Sequence, residues 1–225
     1  MSVTVRPFAA GPGADISGVD IRKPLSTADR DAIRDAWLAN LVLRFQDQPM
    51  TDEQHLAFTR QFGELEFNPA ALIARQYGIE TQTAGRKREI PPEISVISNI
   101  IEDGKAIGGL GDGEAFWHTD SSFVDVPPAA SLLRALEVPP ASAGGATSFL
   151  NCYTAYDTLS EETKKRIDGR IMIHARPIRA PARRIKGLRK SMMSAESREG
   201  GNRWYARIRR PGRKRSFSAG VSTPM

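Results

Sequence analysis

The chain has 225 residues, of which 40% are hydrophobic and 26% are charged. This length fits one ordinary domain, and this composition is that of a globular protein rather than a disordered chain. A single cysteine, Cys152, excludes an intramolecular disulfide framework. The sequence contains no apolar stretch of membrane-spanning length, and the first residues lack the apolar run of a signal peptide. We therefore expect a cytoplasmic protein without a membrane span.

The net charge of +6 is distributed unevenly along the chain. Residues 1–174 carry 17 basic and 24 acidic side chains, a balance of −7, whereas residues 175–225 carry 15 basic and 2 acidic ones, a balance of +13. The second range also sustains no period of 2 or 3.6 residues. The sequence therefore predicts a globular domain over residues 1–174 and a basic, disordered tail over residues 175–225.

The first third of the chain predicts strands that alternate with helices. Apolar alternation indicates strands over residues 3–8, 14–21 and 41–46, and the inward side chains of the second are Ile16, Val19 and Ile21.

Capping residues mark two helices in the same region. Ser26 or Thr27 can cap a helix over about residues 28–39. Thr51 and Gln54 form a capping box for a second helix, which ends at Gly63.

From residue 94 onwards, short apolar segments alternate with glycine and proline turns. Five glycines among residues 101–113 predict a mobile loop, whereas residues 66–92 indicate a surface segment. Strands are predicted over residues 94–98, 115–123, 130–136, 146–150 and 171–174, and short helices over 153–159 and after Ser160. Short strands separated by such turns are typical of a β-barrel or jelly roll.

His118 and Asp120 are the first candidate site residues. On a strand, residues two apart point to the same face, so an imidazole and a carboxylate would project side by side. They would form two corners of a 2-His-1-carboxylate triad, the ligand set of non-haem Fe(II) oxygenases. The alternative is a histidine hydrogen-bonded to a nearby aspartate on a half-buried strand, and the pair taken alone favours that alternative.

Further motifs surround this pair in a fixed order. They are Gly13–Asp20, Leu56–Gly63, Ser98-Asn99, Trp117–Phe123, Pro127-Pro128, Gly144-Gly145 with Thr147, and Ala155–Leu159. In their order and spacing, residues 3–174 resemble the taurine dioxygenase/2,4-dichlorophenoxyacetate dioxygenase family of Fe(II)- and 2-oxoglutarate-dependent oxygenases. The resemblance implies an α+β fold whose core is a double-stranded β-helix, a jelly roll of the cupin type, with flanking helices.

The resemblance also implies roles for individual residues. His118 and Asp120 match the first two iron ligands, and Thr147 matches the threonine that contacts 2-oxoglutarate. A hydroxyl can hold a carboxylate oxygen, although Thr147 could equally be an ordinary β-branched strand residue. Ala146 departs from the family, which often has aspartate there.

Substrate contacts are implied less specifically. Asn99 and Glu114 lie near the positions from which the family contacts its substrates. Glu114 could equally be a solvated loop carboxylate.

Two further residues of the family's site have no recognisable match in this sequence. The family's distal histidine and 2-oxoglutarate-binding arginine lie on later strands, but this chain has no histidine after His174. His174 matches a position that is not a ligand, and His55 is predicted to be a surface residue. We therefore expect a fold that is incomplete towards the C-terminus, and little or no turnover.

A frame shift between about residues 175 and 212 is one explanation. Residues 212–225, back-translated with favourable codons and read from the third base, give a sequence similar to a strand of the family.

An intact site of this kind would use O₂ and 2-oxoglutarate to hydroxylate a small organic acid, either a sulfonate or an aryloxy or alkyl carboxylate. The alternative is a non-catalytic fragment whose basic tail binds nucleic acid or an acidic surface. The motifs favour the enzyme, and an oligomer is compatible with both hypotheses.

Overall fold

The structure, a computed structural model, describes residues 2–66, 90–110, 117–120, 127–143, 146–174, 204–207 and 218–222. The chain divides into two compact units. Unit 1 comprises Met1–Thr119, Ala129–Cys152 and Lys214–Met225, and unit 2 comprises Asp120–Pro128 and Tyr153–Arg213. Among the described residues, no helix is long and apolar enough to cross a membrane.

Unit 1 begins with a three-stranded sheet and two helices. In chain order these are β1 (Thr4–Pro7), β2 (Ala14–Ser17), α1 (Thr27–Asn40), β3 (Leu43–Phe45) and α2 (Asp52–Arg60). Strand β2 lies in the centre, antiparallel to β1 and parallel to β3. Because parallel neighbours need a crossover connection, α1 returns the chain from β2 to β3.

The core of this part packs α1 and α2 against the sheet. Ile16 of β2 is buried against Ile33 and Ala36 of α1. The ring of Phe58 in α2 makes edge-to-face contacts with Phe45 and Phe62, at centroid distances of 5.6 and 5.3 Å. The predicted inward set is confirmed, since Ile16 and Ile21 are buried and Val19 packs against the core.

Both predicted helix caps are confirmed. The Ser26 hydroxyl accepts a hydrogen bond from the Asp29 N–H at 3.1 Å, so Ser26 rather than Thr27 is the cap of α1. Thr51 and Gln54 form the predicted capping box of α2. Helix α2 ends at Arg60, three residues before the predicted end at Gly63.

The remaining elements are short, and their strands pair in twos. They are β4 (Ile97–Ser98), β5 (Ile101–Glu102), β6 (Lys105–Ala106), β7 (Gly109–Leu110), β8 (Thr147–Asn151), α3 (Cys152–Asp157), α4 (Glu161–Ile167), β9 (Ile171–His174), β10 (Trp204–Arg207) and β11 (Ser218–Ser222). Strand β4 pairs with β7 in parallel, whereas β5–β6, β8–β11 and β9–β10 are antiparallel. Strands β10 and β11 lie within residues 175–225, where the sequence sustains no period of 2 or 3.6 residues. The domain boundary at residue 174 stays a prediction.

The described part of the predicted mobile loop, residues 101–110, contains the three short strands β5, β6 and β7, and its mobility stays a prediction. Strands β5 and β6 form a hairpin around Asp103 and Gly104, whose φ angles are +49° and +72°. Positive φ at both central residues is the signature of a type I′ turn, which Asp-Gly favours. The dipeptide was therefore a usable hairpin signal.

The predicted strand over residues 130–136 is also wrong. Between residues 127 and 143, the only regular element is a 3-10 turn at Ala141–Ala143. Prolines at 127, 128, 139 and 140 bracket the segment and supply no N–H donors for a strand ladder. Leu133 is 71% exposed and Leu136 is 70% exposed, so this segment gains little from apolar burial.

An ion pair ties this segment to α2. The guanidinium of Arg134 donates hydrogen bonds to the Met50 carbonyl and to the carboxylate of Asp52. The side chains are 14% and 5% exposed, respectively. A buried charge is tolerated only when it is paired, so the carboxylate of Asp52 depends on the Arg134 cation.

His55, one turn further along α2, is half-buried, and the prediction of a surface residue is wrong. Burial and, to a lesser extent, the positive charge of Arg134 lower the pKa of His55. Both effects disfavour the imidazolium form.

The buried pair predicts a large effect of Arg134→Met on stability. The substitution keeps an apolar stem but removes the cation from Asp52, so the free energy of unfolding in urea should fall by about 3–5 kcal/mol. Arg44→Met is the matched control, because Arg44 forms a similar two-point pair with Asp15 at the surface. The control should have a small effect. An equal loss of unfolding free energy in both variants would show that the Arg134–Asp52 pair stabilises the fold no more than a surface pair does.

The lowered pKa of His55 predicts a pH dependence of stability. The unfolded chain takes up a proton near pH 6.5, whereas the folded protein does so only at lower pH. Stability from this group is therefore level above pH 6.5 and falls as the pH decreases below it. His55→Gln should lose less stability than the wild type between about pH 7.5 and about pH 5.5, measured by urea unfolding. If the unfolding free energies of the variant and the wild type change equally with pH, His55 does not contribute to the pH dependence.

Candidate functional site

His118 and Asp120 lie on an irregular segment, not on the predicted strand. Among residues 117–120, His118 forms a single β-bridge and Asp120 lies in a turn. Both side chains are exposed, as is Trp117, and Thr119 is half-buried. Within residues 117–120, the strand alternation expected from the sequence is therefore absent. The exposure of both side chains also does not fit the alternative of a half-buried strand.

Thr147 is the first residue of β8 in unit 1. Its backbone lies opposite Ser222 of β11 in the antiparallel register. The Thr147 side chain is exposed, so its hydroxyl is accessible to a ligand. Residues 144–145, the glycines expected to allow close approach, lie outside the described residues.

Asn99 directly follows β4 and is exposed. Its position is set by the packing of β4 against residue Gly108. A Cβ atom at Gly108 would lie 2.7 Å from the Ser98 backbone nitrogen and 3.0 Å from the Val96 carbonyl oxygen. Only glycine permits this close approach of the two backbones. The other substrate candidate, Glu114, lies outside the described residues.

His118 and Asp120 are side chains of the types that bind iron, but the described residues bring no third ligand to them. An imidazole and a carboxylate are the ligand types that non-haem Fe(II) takes. In the part of the chain that the structure describes, however, no three His, Cys, Asp or Glu side chains come together in a group that could hold a metal ion. Of the other histidines, His55 belongs to α2, and His174 ends β9 in unit 2. The described residues therefore do not form a complete centre.

Cys152 is half-buried at the start of α3. As the first residue of the helix after β8, it is only partly covered.

Sequence reasoning missed the contact between Arg134 and Asp52. One signal was available, because Arg134 is a lone cation in the apolar run Leu132–Leu136. A cation in such a run needs a buried partner, but the identity of a partner 82 residues away is not a local property.

A family model and curated relatives place this chain in a family. The family model "Taurine catabolism dioxygenase TauD, TfdA family" matches residues 4–215. The (S)-phenoxypropionate/alpha-ketoglutarate-dioxygenase of Sphingobium herbicidovorans is 32% identical over 164 residues, which are 73% of this chain and 50% of that protein. Pentalenolactone F synthase of Streptomyces arenae is 34% identical over 178 residues, 76% of this chain and 53% of that protein.

A solved structure supports the fold. The crystal structure of AAD-2 in complex with Mn(II) and N-oxalylglycine superimposes with a TM-score of 0.59 and 23% identity, covering 100% of this chain and 70% of that chain.

The chain spans about half the length of these two curated relatives. Members of the matched family use Fe(II) and 2-oxoglutarate. Because the family model covers nearly the whole chain, from residue 4 to residue 215, the chain belongs to the taurine catabolism dioxygenase TauD, TfdA family.

Proposed function

We propose that this chain carries part of the active site of an Fe(II)- and 2-oxoglutarate-dependent dioxygenase that hydroxylates a small organic acid. His118 and Asp120 are the proposed metal ligands, and Thr147 is the proposed contact to 2-oxoglutarate. The observation that carries the proposal is that the family match includes all three residues and that all three side chains are exposed. A ligand can reach exposed side chains from the solvent, whereas it cannot reach side chains buried in the core.

The proposed substrate is a small acid, either a sulfonate or an aryloxy or alkyl carboxylate. Support comes from the relative that acts on (S)-phenoxypropionate and from the family's taurine description. Asn99, exposed beside β4, and Glu114 are the proposed substrate contacts. Pentalenolactone F synthase is equally similar, so the family alone does not fix the substrate.

The proposed core is the double-stranded β-helix that the sequence resemblance implies, incomplete towards the C-terminus. The fold likeness to the AAD-2 structure supports it. The comparisons do not favour the alternative in which the basic tail binds nucleic acid. A cytoplasmic location belongs to the same proposal and rests on the sequence.

The proposed ligands predict metal binding that depends on His118. The purified chain should bind Mn(II), a redox-stable substitute for Fe(II), in equilibrium dialysis at neutral pH. His118→Ala should weaken that binding by roughly 100-fold or more, because removing a ligand costs at least as much as removing a residue that only orients one.

His55→Ala is the matched control for this experiment, since it removes an imidazole that no proposed ligand set includes. Loss of Mn(II) binding in His55→Ala, or its persistence in His118→Ala, would contradict the proposed ligands. Because the described residues bring no third ligand to His118 and Asp120, we expect little or no succinate from Fe(II), O₂ and 2-oxoglutarate. His118-dependent succinate formation would show that the chain completes its own site.

A further inference from the structure

We infer that Ser98 is a positioning residue, which holds the proposed substrate contact Asn99 in a fixed place at the base of the β5–β6 hairpin. The inference rests on the proposed function for the role of Asn99, but the contacts that carry it do not depend on that role. All residues involved lie within Met1–Thr119 of unit 1.

Asn99 lies in a short connection between two strands. Only Asn99 and Ile100 separate β4, which ends at Ser98, from β5, which begins at Ile101. Successive Cα atoms are about 3.8 Å apart, so a connection of this length leaves Asn99 little room to move once its neighbours are held. The place of Asn99 therefore depends on what holds Ser98 and Ile100.

The Ser98 hydroxyl holds Ile100 by a hydrogen bond that spans Asn99. It accepts from the Ile100 N–H at 3.0 Å. A serine that bonds the backbone N–H two residues further on closes a small turn around the residue between them. The Ile100 carbonyl in turn accepts a hydrogen bond from the Ile107 N–H at 3.2 Å. Both backbone groups of Ile100 are therefore hydrogen-bonded, and one of these bonds depends on the Ser98 side chain.

Ser98 is itself held by β7 and by the residue before that strand. In the parallel register, Ser98 lies opposite Leu110. A Cβ atom at Gly108 would lie 2.7 Å from both the nitrogen and the Cβ atom of Ser98, so the two backbones are in direct contact there. Ser98 is half-buried. Its hydroxyl therefore projects from a backbone that is packed in place.

Asn99 differs from both of its neighbours in exposure. Its side chain is exposed, whereas Ser98 and Ile100 are half-buried. The carboxamide N–H groups of Asn99 can therefore donate to a carboxylate or sulfonate oxygen that arrives from the solvent. A donor whose backbone is already ordered loses less conformational entropy when it binds. The Ser98 turn thus lowers the cost of binding a small acid at Asn99.

The test measures the order of the Asn99 backbone in the full chain, with no metal or ligand present. ¹⁵N relaxation gives the order parameter of its amide N–H, which is about 0.85 for rigid backbone and below about 0.6 for flexible backbone. The Ala14 N–H is the reference in the same spectrum, because it donates to the Val42 carbonyl at 3.0 Å within the N-terminal sheet.

We expect rigid values at both amides in the wild type. Ser98→Ala removes the hydroxyl acceptor and should bring the order parameter at Asn99 below about 0.6, with Ala14 unchanged. Gly108→Ala should lower the value at Asn99 as well, because the added Cβ atom pushes Ser98 away. Ser148→Ala, at an exposed serine of β8, is the matched control and should change neither amide.

A flexible Asn99 in the wild type, an unchanged value in Ser98→Ala, or an equal fall at Ala14 overturns the inference. Addition of (S)-phenoxypropionate, the acid in the name of one relative, then tests the substrate role of Asn99 separately. A shift of the Asn99 side-chain amide signals that is weaker in Ser98→Ala supports both the role and the positioning. Absence of any shift contradicts the substrate role and leaves the order parameters as evidence for the positioning, so the two failures are distinguished.

Discussion

The buried contact between Arg134 and Asp52 ties the segment around residue 134 to the N-terminal helices of unit 1. A carboxylate on a side chain that is 5% exposed is stable only beside a cation, and the Arg134 guanidinium supplies one from a segment 82 residues further along the chain. The pair therefore forms only when the N-terminal sheet and helices and the segment around Arg134 are both in place. Burial of Asp52 and of Phe58 on the same helix joins the aromatic core to this polar contact.

The fold could be predicted from the sequence where the determinants are local. The Ser26 cap, the Thr51 capping box and the inward face of β2 each follow from neighbouring residues, and all are confirmed. The hairpin at Asp103-Gly104 was predictable on the same grounds. The strand expected around residues 130–136 could not be judged locally, because a strand needs a partner and the prolines on both sides remove donors. The partner of the buried Asp52 is likewise an arginine 82 residues away.

At the candidate site, the sequence predicted the residue types but not their local geometry. Residue type and spacing identified an imidazole and a carboxylate, and the family resemblance added the hydroxyl of Thr147. The family match includes all three residues. The sequence predicted the wrong local geometry for His118 and Asp120, since a bridge and a turn replace the expected strand. The described residues supply donors of the right kind for non-haem iron without a third member. Metal affinity and turnover are then separate properties, because two ligands can hold an ion weakly without organising a reaction.

The most direct test of this account counts the histidines on the metal. Pulsed electron paramagnetic resonance of the Mn(II)-loaded chain, prepared with ¹⁵N-labelled histidine, detects each coordinated imidazole nitrogen separately. We predict a single coordinated imidazole, which is absent in His118→Ala. Two coordinated imidazoles in the wild type would show that the chain completes its own ligand set, and a coordinated imidazole that persists in His118→Ala would contradict the assignment of the site.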